Sequence, residues 1–424
     1  MFDSRAIRQD ADSLKVTDPN WRQRLISTKS GTPSECLANV ACALRHDPPF
    51  AGNIRLDELR NTIVCRGMPW ETSAEWREWT DFDGLRLTEW LQLGGIPAKP
   101  RMVADACDLV AEESGFHPVR DYLESLQWDG VPRLDSWLAE YLGCVDGDRR
   151  YISEVGRRWL ISAVARIFKP GCKVDCILIL EGRQGAGKST ALASLMPDNR
   201  WFADQIADLG TKDSAQDIRG KWLIEISELS AMRRGEIERT KAFVSRGVDH
   251  YRPSFGRWSS DFPRQCVFAG TTNDDAYLVD ETGNRRFWPA RVGKIDIAAL
   301  KADRDQLWAE AVAAYRKGEP WWLDKEMEHL AAAAQAERSV RDPWHEDVIA
   351  IAREKAAGRA ATPTGPCVRP DEILQALGVE RKDRDNSRAN RVARVLRTEG
   401  WVKKQRTLAD GIRYRVYVLP LRQG

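Results

Sequence analysis

The feature that most constrains this chain is the segment from Gly182 to Thr190, which reads GRQGAGKST. Its first eight residues match the pattern G-x-x-x-x-G-K-[ST], in which glycines let the backbone curl so that several N–H groups point at phosphate oxygens. The apolar run CILIL precedes the segment, and the stretch STALASLM begins at its last two residues. This order indicates a strand before the loop and a helix after it. This context predicts an α/β domain built around a nucleotide-phosphate loop.

The residue types in the loop indicate which ligands it takes. Lys188 supplies a positive charge for the β- and γ-phosphates, and Ser189 offers a hydroxyl to Mg²⁺. We therefore predict ATP and Mg²⁺ as ligands; a GTPase is not favoured, because no Asn-Lys-x-Asp segment follows the loop. The residues predicted to contact the nucleotide are Gly182, Gly185, Ala186, Gly187, Lys188, Ser189 and Thr190.

Two acidic residues follow in the apolar segment LIEISEL, at Glu225 and Glu228. One acid near such a loop can hold Mg²⁺ through water, and one can polarise the attacking water. Glu228 is the preferred catalytic carboxylate because it lies at the carboxyl end of the predicted strand, where sites on such sheets lie. Glu225, together with Ser189, is the predicted metal-binding residue. The opposite assignment stays open, as does a purely structural role for Glu225.

Polar residues after the next predicted strand complete the candidate catalytic set. The strand FAGTTN ends at Asn273, whose amide could orient a water against the γ-phosphate. Arg285 and Arg286 follow in a turn, and an arginine supplied from a neighbouring subunit can stabilise charge developing on phosphate. The alternatives are an ordinary Thr/Asn turn and a pair of solvated arginines.

Two segments are candidates for DNA contact. Between Asp249 and Arg264, three arginines alternate with aromatic residues, a pattern typical of surfaces that track a nucleic-acid backbone and equally of an edge hairpin without a ligand. The second segment, Glu380 to Gly424, has thirteen Lys or Arg against five Asp or Glu, which suits phosphate contact or a merely solvated face. The predicted DNA-binding residues are Arg252, Arg257, Arg388, Arg391, Lys403 and Lys404.

The order of elements predicts a parallel sheet flanked by helices, with a further region on each side. A mainly helical, Trp-rich region covers 1–150, and its indoles are read as core packing, with base stacking as the alternative. The ATPase core covers 151–325, a helical stretch and linker 326–366, and a winged-helix-like basic domain 367–424.

Composition narrows the class of protein. The net charge of +2 means that any nucleic-acid affinity comes from local patches. The nine cysteines form no CxxC pair and no zinc-like cluster, which favours reduced thiols in a cytoplasmic protein. The polar N-terminus is not typical of a signal peptide, and no apolar run is long enough to span a membrane.

Taken in order, these segments resemble the virulence-associated protein E family, phage- and plasmid-linked ATPases similar to superfamily 3 helicases of the AAA+ class. The likeness runs from about Trp21 to Trp322. It depends on the motifs FHPVRDYLESLQWDG, PGCKVDCILILEGRQGAGKST, KWLIEISEL, YRPSFGRW, CVFAGTTN and TGNRRFWP.

The resemblance implies roles for the candidate residues. Lys188 and Ser189 take the Walker A role, Glu228 with Glu225 the Walker B role, Asn273 the sensor role, and Arg285 or Arg286 the arginine finger. It also implies a homo-oligomeric ring, often a hexamer, with ATP sites between subunits. Here the acids are separated as Glu-Ile-Ser-Glu instead of being adjacent.

The resulting hypothesis is a helicase or translocase that couples ATP hydrolysis to movement on single-stranded or forked DNA, in replication of a phage, prophage or plasmid. The alternative is a nucleotide-switched DNA-binding or regulatory ATPase that does not unwind DNA. An arginine finger favours the first hypothesis, since a pure switch has less need of one.

Overall fold

A computed structural model describes most of the chain, which divides into two compact units. The described residues are 18–145, 147–206, 211–228, 232, 234–252, 258–278, 284–340, 342–358, 366–407 and 413–419. Unit one comprises Met1–Asp275 with Arg285–Ala334, and unit two comprises Ala276–Asn284 with Gln335–Gly424. Nearly all of the predicted linker at 358–366 falls outside the described residues, and the boundaries at 150, 325 and 366 stay predictions.

The N-terminal part of unit one combines helices with a small antiparallel sheet. Its elements are α1 (Leu37–His46), β1 (Ile54–Asp57), β2 (Thr62–Cys65), β3 (Arg77–Glu78), α2 (Asp81–Leu93) and α3 (Pro100–Glu113). Thr80 starts α2 with a capping box shared with Asp83, and Pro100 starts α3, so local sequence sets both helix starts. The prediction of a mainly helical region therefore omitted a sheet of order β1-β2-β3.

Tryptophans of the N-terminal region serve mainly as packing, as predicted. Trp21 and Trp137 are buried in two separate hydrophobic cores, and Trp70 and Trp79 pack against the core that contains Trp21. Burying such large rings is a strong source of stability wherever the ring is enclosed. Trp90, on α2, stays partly exposed.

A five-stranded parallel sheet forms the centre of unit one. Its strands are β4 (Ile177–Glu181), β5 (Phe202–Ala203), β6 (Leu223–Ile226), β9 (Val267–Thr272) and β10 (Phe287–Arg291), in the spatial order β10-β4-β9-β6-β5. Every residue of β4, β6 and β9 is buried, which is the pattern of strands covered on both faces. In the chain segment that connects β6 to β9, two further strands, β7 (Val248–Tyr251) and β8 (Ser260–Pro263), form a separate antiparallel hairpin.

Helices flank this sheet, and one of them, Arg149–Phe168, is fixed to it by indole hydrogen bonds. They are α4 (Pro118–Ser125), α5 (Trp137–Leu142), α6 (Arg149–Phe168), α7 (Lys188–Ser194), α8 (Lys212–Asp217), α9 (Arg234–Val244), α10 (Ile297–Arg316) and α11 (Lys325–Glu337). On α6, Trp159 donates its ring N–H to the Phe268 carbonyl at 2.9 Å. Trp222 in turn donates to the Ala163 carbonyl at 3.0 Å, so α6 and the sheet hold each other in register. The predicted parallel sheet with flanking helices is confirmed.

Unit two contains helices followed by a β-ribbon. Its elements beyond α11 are α12 (His345–Gly358), α13 (Pro370–Ala376), α14 (Asn386–Thr398), β11 (Val402–Thr407) and β12 (Arg413–Val418). Buried apolar residues of α12, α13 and α14 share one core with Trp401 and Tyr417. β11 and β12 pair antiparallel over six residues each, and the predicted turn between them lies outside the described residues.

Two observations concern the class of protein. All nine cysteines are free thiols, and seven of them are buried. Within the described ranges, no helix combines the length and the apolar character that crossing a membrane requires.

Candidate functional site

The loop between β4 and α7 depends on glycine backbone geometry. Gly185 and Gly187 have φ of +78° and +89°, a left-handed conformation that side chains with a Cβ rarely adopt. A Cβ at either position would meet no other atom. Glycine is therefore required there by the backbone conformation and not by a lack of space. Gly187 is also the residue from which α7 begins. The turn between β4 and α7 therefore depends on glycine at both positions.

Lys188 lies at the start of α7 with its ammonium held over the loop. Its Nζ donates to the Gly182 carbonyl at 2.7 Å, the Arg183 carbonyl at 3.0 Å and Asn273 Oδ1 at 2.9 Å. The residue is only 7% exposed, and burial lowers the pKa of its ammonium, an effect opposed by the nearby Glu225 carboxylate. The predicted sensor residue Asn273, at the end of β9, is thus in direct contact with the loop lysine.

Glu225 and Ser189, the predicted metal-binding pair, touch each other. Glu225 Oε1 accepts from the Ser189 hydroxyl at 2.7 Å and from the Thr271 hydroxyl at 2.6 Å. Glu225 is 2% exposed, and its Oε2 is buried without a hydrogen-bond partner in the described part of the chain. An unsatisfied buried carboxylate oxygen beside a hydroxyl is the oxygen donor set that suits Mg²⁺.

Thr271 was not among the predicted site residues. A threonine inside the apolar run of β9 gives no local signal of its role. Its contact with Glu225 arises because β9 lies between β4 and β6. A prediction that the hydroxyls of the β9 strand face the acid of β6 would have required the sheet order.

Glu228 occupies a different environment from Glu225. It is exposed, lies two residues beyond β6, and has a φ of +53°, which is uncommon for a residue with a side chain. It lines a cleft of about 490 Å³ together with the loop residues Gln184–Thr190, Ser227 and Thr271–Asn273. Strained backbone of this kind is found at sites where the surrounding structure holds a side chain in place.

The cleft contains no dedicated metal cage. Among the residues that the structure describes, no group of three or more His, Cys, Asp or Glu is placed to hold a metal ion. Mg²⁺ in nucleotide sites is commonly bound by one or two protein oxygens plus the phosphates themselves, so Ser189 and Glu225 fit that use without further ligands.

Arg285 and Arg286 lie away from this cleft. They directly precede β10, whose first residue Phe287 pairs with Ile177, the first residue of β4, so they flank the amino edge of the sheet. The loop follows the carboxyl end of β4, about 15 Å along the strand at roughly 3.3 Å per residue. Arg286 Nε donates to Ser245 Oγ at 2.7 Å, and Arg285 is exposed. Neither arginine is brought to Lys188 of the same chain.

The β7–β8 hairpin separates the arginines of its segment into two kinds. Arg252 follows β7, and the neighbouring Trp258 is 80% exposed, whereas Arg257 lies outside the described residues. Arg264 is buried and forms an ion pair with Asp249 at 2.5 Å. Arg264, one of the three arginines that alternate with aromatic residues, therefore has a partner inside the fold, and the alternation in the sequence does not reveal that this partner lies across the hairpin.

The basic residues of unit two also differ in availability. Arg391 forms a two-pronged pair with Asp342, with Nη2 to Oδ1 at 2.8 Å, and lies over the Trp344 ring. Arg388 donates to the Asp383 carbonyl. Lys403 and Lys404 are exposed on β11, beside exposed arginines of β12. The ribbon therefore presents the freer cations of the predicted DNA-binding set.

The chain is similar to a known protein family and to solved structures. The family model for the virulence-associated protein E-like domain matches residues 123–340, slightly more than half of the chain. No curated protein matches significantly. The apo structure of the NrS-1 C-terminal region is similar with a TM-score of 0.48 and 12% identity, over 87% of this chain and 96% of that one. An A-form apo structure of the same region gives 0.45 and 11% over the same shares.

Proposed function

This chain belongs to the virulence-associated protein E-like family, and we propose that it is an ATPase whose catalytic site is formed by the Gly182–Ser189 loop, Glu225, Glu228 and Asn273. The observation that carries the proposal is the contact network across three strands. Lys188 bonds Asn273, and Ser189 bonds Glu225, so the phosphate loop, the acid strand and the β9 terminus form one polar site.

Each residue of the cleft has a distinct chemical task. Lys188 binds the β- and γ-phosphates through its ammonium, and the left-handed glycines leave backbone N–H groups free to point at phosphate oxygens. Ser189 and Glu225 would hold Mg²⁺, which supplies positive charge against the phosphates when bound. Glu228 polarises the attacking water from the exposed wall of the cleft, and Asn273 orients that water.

The different environments of the two acids support this division. Glu225 is buried and already bonded to Ser189, which suits a metal-holding carboxylate and leaves it little freedom to meet a water. Glu228 faces the open cleft, as a general base must. Because two residues separate the acids in Glu-Ile-Ser-Glu, Glu225 lies inside the sheet and Glu228 lies beyond the carboxyl end of β6.

DNA is the macromolecular partner that we propose. Unit two has two helices, α13 and α14, followed by a β-ribbon that carries exposed Lys403 and Lys404, which is consistent with a winged-helix-like domain. Cations on such a ribbon suit phosphate contact. The proposed activity is ATP-driven translocation on, or opening of, DNA in the replication of a phage, prophage or plasmid, in the cytoplasm.

A ring of identical subunits would explain the position of the paired arginines. Arg285 and Arg286 flank the sheet edge opposite the phosphate loop, so a finger role requires a neighbouring chain. In a closed ring with head-to-tail contacts, the amino edge of one subunit can face the loop of the next.

The proposal is tested by ATP hydrolysis with purified protein, with and without single-stranded DNA. Lys188→Ala removes the phosphate-binding charge and is expected to abolish turnover, whereas Lys301→Ala, an exposed lysine on α10, serves as the matched control. Because Lys188 makes three hydrogen bonds, circular dichroism and thermal melting must accompany the assay. Wild-type turnover in a folded Lys188→Ala protein would refute the proposed site. Hydrolysis that DNA leaves unchanged would favour a nucleotide switch over a translocase.

A further inference from the structure

A second cavity lies where the strands of the central sheet begin, at the end of the sheet away from the Gly182–Ser189 loop. It has a volume of about 570 Å³, larger than the 490 Å³ of the phosphate-loop cleft. The start of β4, the start of β10 and the segment after α10 surround it, with Cys176, Trp288 and Leu323 buried in its lining. A volume of this size falls in the range of small-molecule sites.

Two adjacent tryptophans form one wall of this cavity. Trp321 is held in place by the hydrogen bond from its ring N–H to the Lys173 carbonyl at 2.9 Å. Trp322 stands edge-to-face against it, with ring centroids 5.2 Å apart and an interplanar angle of 81°, and remains 59% exposed. A fixed indole that supports an exposed indole provides a planar apolar surface whose face is open to a ligand.

The rim of the cavity carries more positive than negative side chains. Lys169, Lys173 and Arg285 contribute cations, and Asp175 and Glu328 contribute carboxylates. Lys173 is 3.8 Å from Asp175, so part of its charge is already matched. Within the described part of the chain, Lys169 and Arg285 are in no ion pair, which leaves the rim able to attract an anion.

We propose that this cavity is a second nucleotide site, which takes a nucleobase against Trp322 and its phosphate at Lys169. Aromatic faces with nearby cations are the surface on which bases of a nucleic-acid strand stack while the backbone is held by charge. An uncharged apolar ligand would make no use of the cationic rim, and an inorganic anion would make no use of the indoles. Both features together select a nucleotide, whether it belongs to a DNA strand or is free.

The experiment uses the full-length Lys188→Ala protein, so that the phosphate-loop cleft contributes little to binding of the probes. The solution contains no hydrolysable ATP. Its probes are a fluorescent oligothymidylate of about 15 nucleotides, within the range of known single-strand site sizes, and a fluorescent ADP analogue. Binding is followed by anisotropy. An oligonucleotide carrying 5-iodouracil is crosslinked in parallel, and the modified peptide is identified by mass spectrometry.

Trp322→Ala is expected to lower the affinity for at least one probe by about tenfold or more, which is the loss typical of removing an aromatic side chain that stacks on a base. Trp322→Phe should retain most of the affinity because it keeps an aromatic face, and Lys169→Glu should weaken the same probe. Trp90→Ala and Lys301→Glu, which change an exposed tryptophan and an exposed lysine elsewhere, are the controls.

The two probes distinguish the source of the nucleotide. Loss confined to the oligonucleotide, with crosslinks at Trp321 or Trp322, assigns the site to DNA. Loss confined to the ADP analogue assigns it to a free nucleotide. Unchanged binding of both probes to folded Trp322→Ala and Lys169→Glu proteins would overturn the proposal. Since hydrolysis is not measured, this result is independent of whether the phosphate-loop cleft is an ATPase site.

Discussion

Replacing Glu228 by glycine should make the folded chain more stable than replacing it by alanine, although both changes remove the proposed catalytic carboxylate. The reason is the backbone: Glu228 has a φ of +53°. A residue with a Cβ in this left-handed conformation costs roughly 1–2 kcal/mol, and glycine avoids that cost. Glycine also gives the unfolded chain more freedom, which takes back about 0.4–1 kcal/mol. Taken from the middle of each range, the net advantage of glycine over alanine is about 0.8 kcal/mol.

Differential scanning calorimetry and urea titration measure this difference. At about 2.1 cal/mol/K per residue, the roughly 325 residues of unit one correspond to about 1.5 °C in Tm for each kcal/mol, so we expect Glu228→Gly to melt about 1 °C above Glu228→Ala. Because the side chain is exposed, loss of the carboxylate itself should affect stability little. ATP hydrolysis should be lost equally in both variants.

A matched control is available at Asn61, which has a φ of +52° and lies between β1 and β2, far along the chain from the cleft residues. Asn61→Gly should likewise exceed Asn61→Ala in stability, while both keep normal hydrolysis. If Glu228→Gly is no more stable than Glu228→Ala while the Asn61 pair behaves as expected, the backbone at Glu228 is not strained. The inference that the fold stores strain to hold this carboxylate in the cleft would then be wrong.

Three further predictions concern the roles assigned above. Glu228→Gln should bind ATP but hydrolyse it about a hundredfold or more slowly, whereas Glu225→Gln should raise the Mg²⁺ concentration needed for ATP binding; the reverse pattern in magnesium titrations would exchange their roles. The double variant Lys403→Glu, Lys404→Glu should bind DNA more weakly, and its log affinity should depend less steeply on log salt concentration, whereas Lys301→Glu should change neither property. An unchanged salt dependence would show that the ribbon is only a solvated face. Mixing Lys188→Ala chains with chains mutated at both Arg285 and Arg286 should restore hydrolysis, since an arginine finger can contribute on the order of a thousandfold in rate. Lack of recovery in mixtures shown to co-assemble would count against the finger.

Sequence reasoning succeeded where the signal was local. The strand before Gly182, the helix from Lys188 and the helix–helix–ribbon order of the C-terminus follow from patterns of neighbouring residues, and these elements lie close to the predicted positions. Reasoning from the sequence was less successful for side chains whose partners are distant. Nothing near Arg264 in the chain reveals the buried pair with Asp249, and nothing near Arg391 reveals Asp342. A charge pattern cannot distinguish a free arginine from one that the fold has already paired.

The hydrogen bonds of Lys188 indicate how the cleft could respond to a nucleotide. An ammonium has three donors, and here Gly182, Arg183 and Asn273 accept all three. A phosphate that binds Lys188 must therefore displace at least one acceptor. The two carbonyls belong to the backbone of the loop, so that moving either one shifts the chain itself, whereas Asn273 is an exposed side chain that can turn away alone. Release of Asn273 disturbs the least structure, and it frees the amide at the end of β9 just when a phosphate is present. The same bond that holds the lysine in this structure would thus make Asn273 sensitive to nucleotide binding.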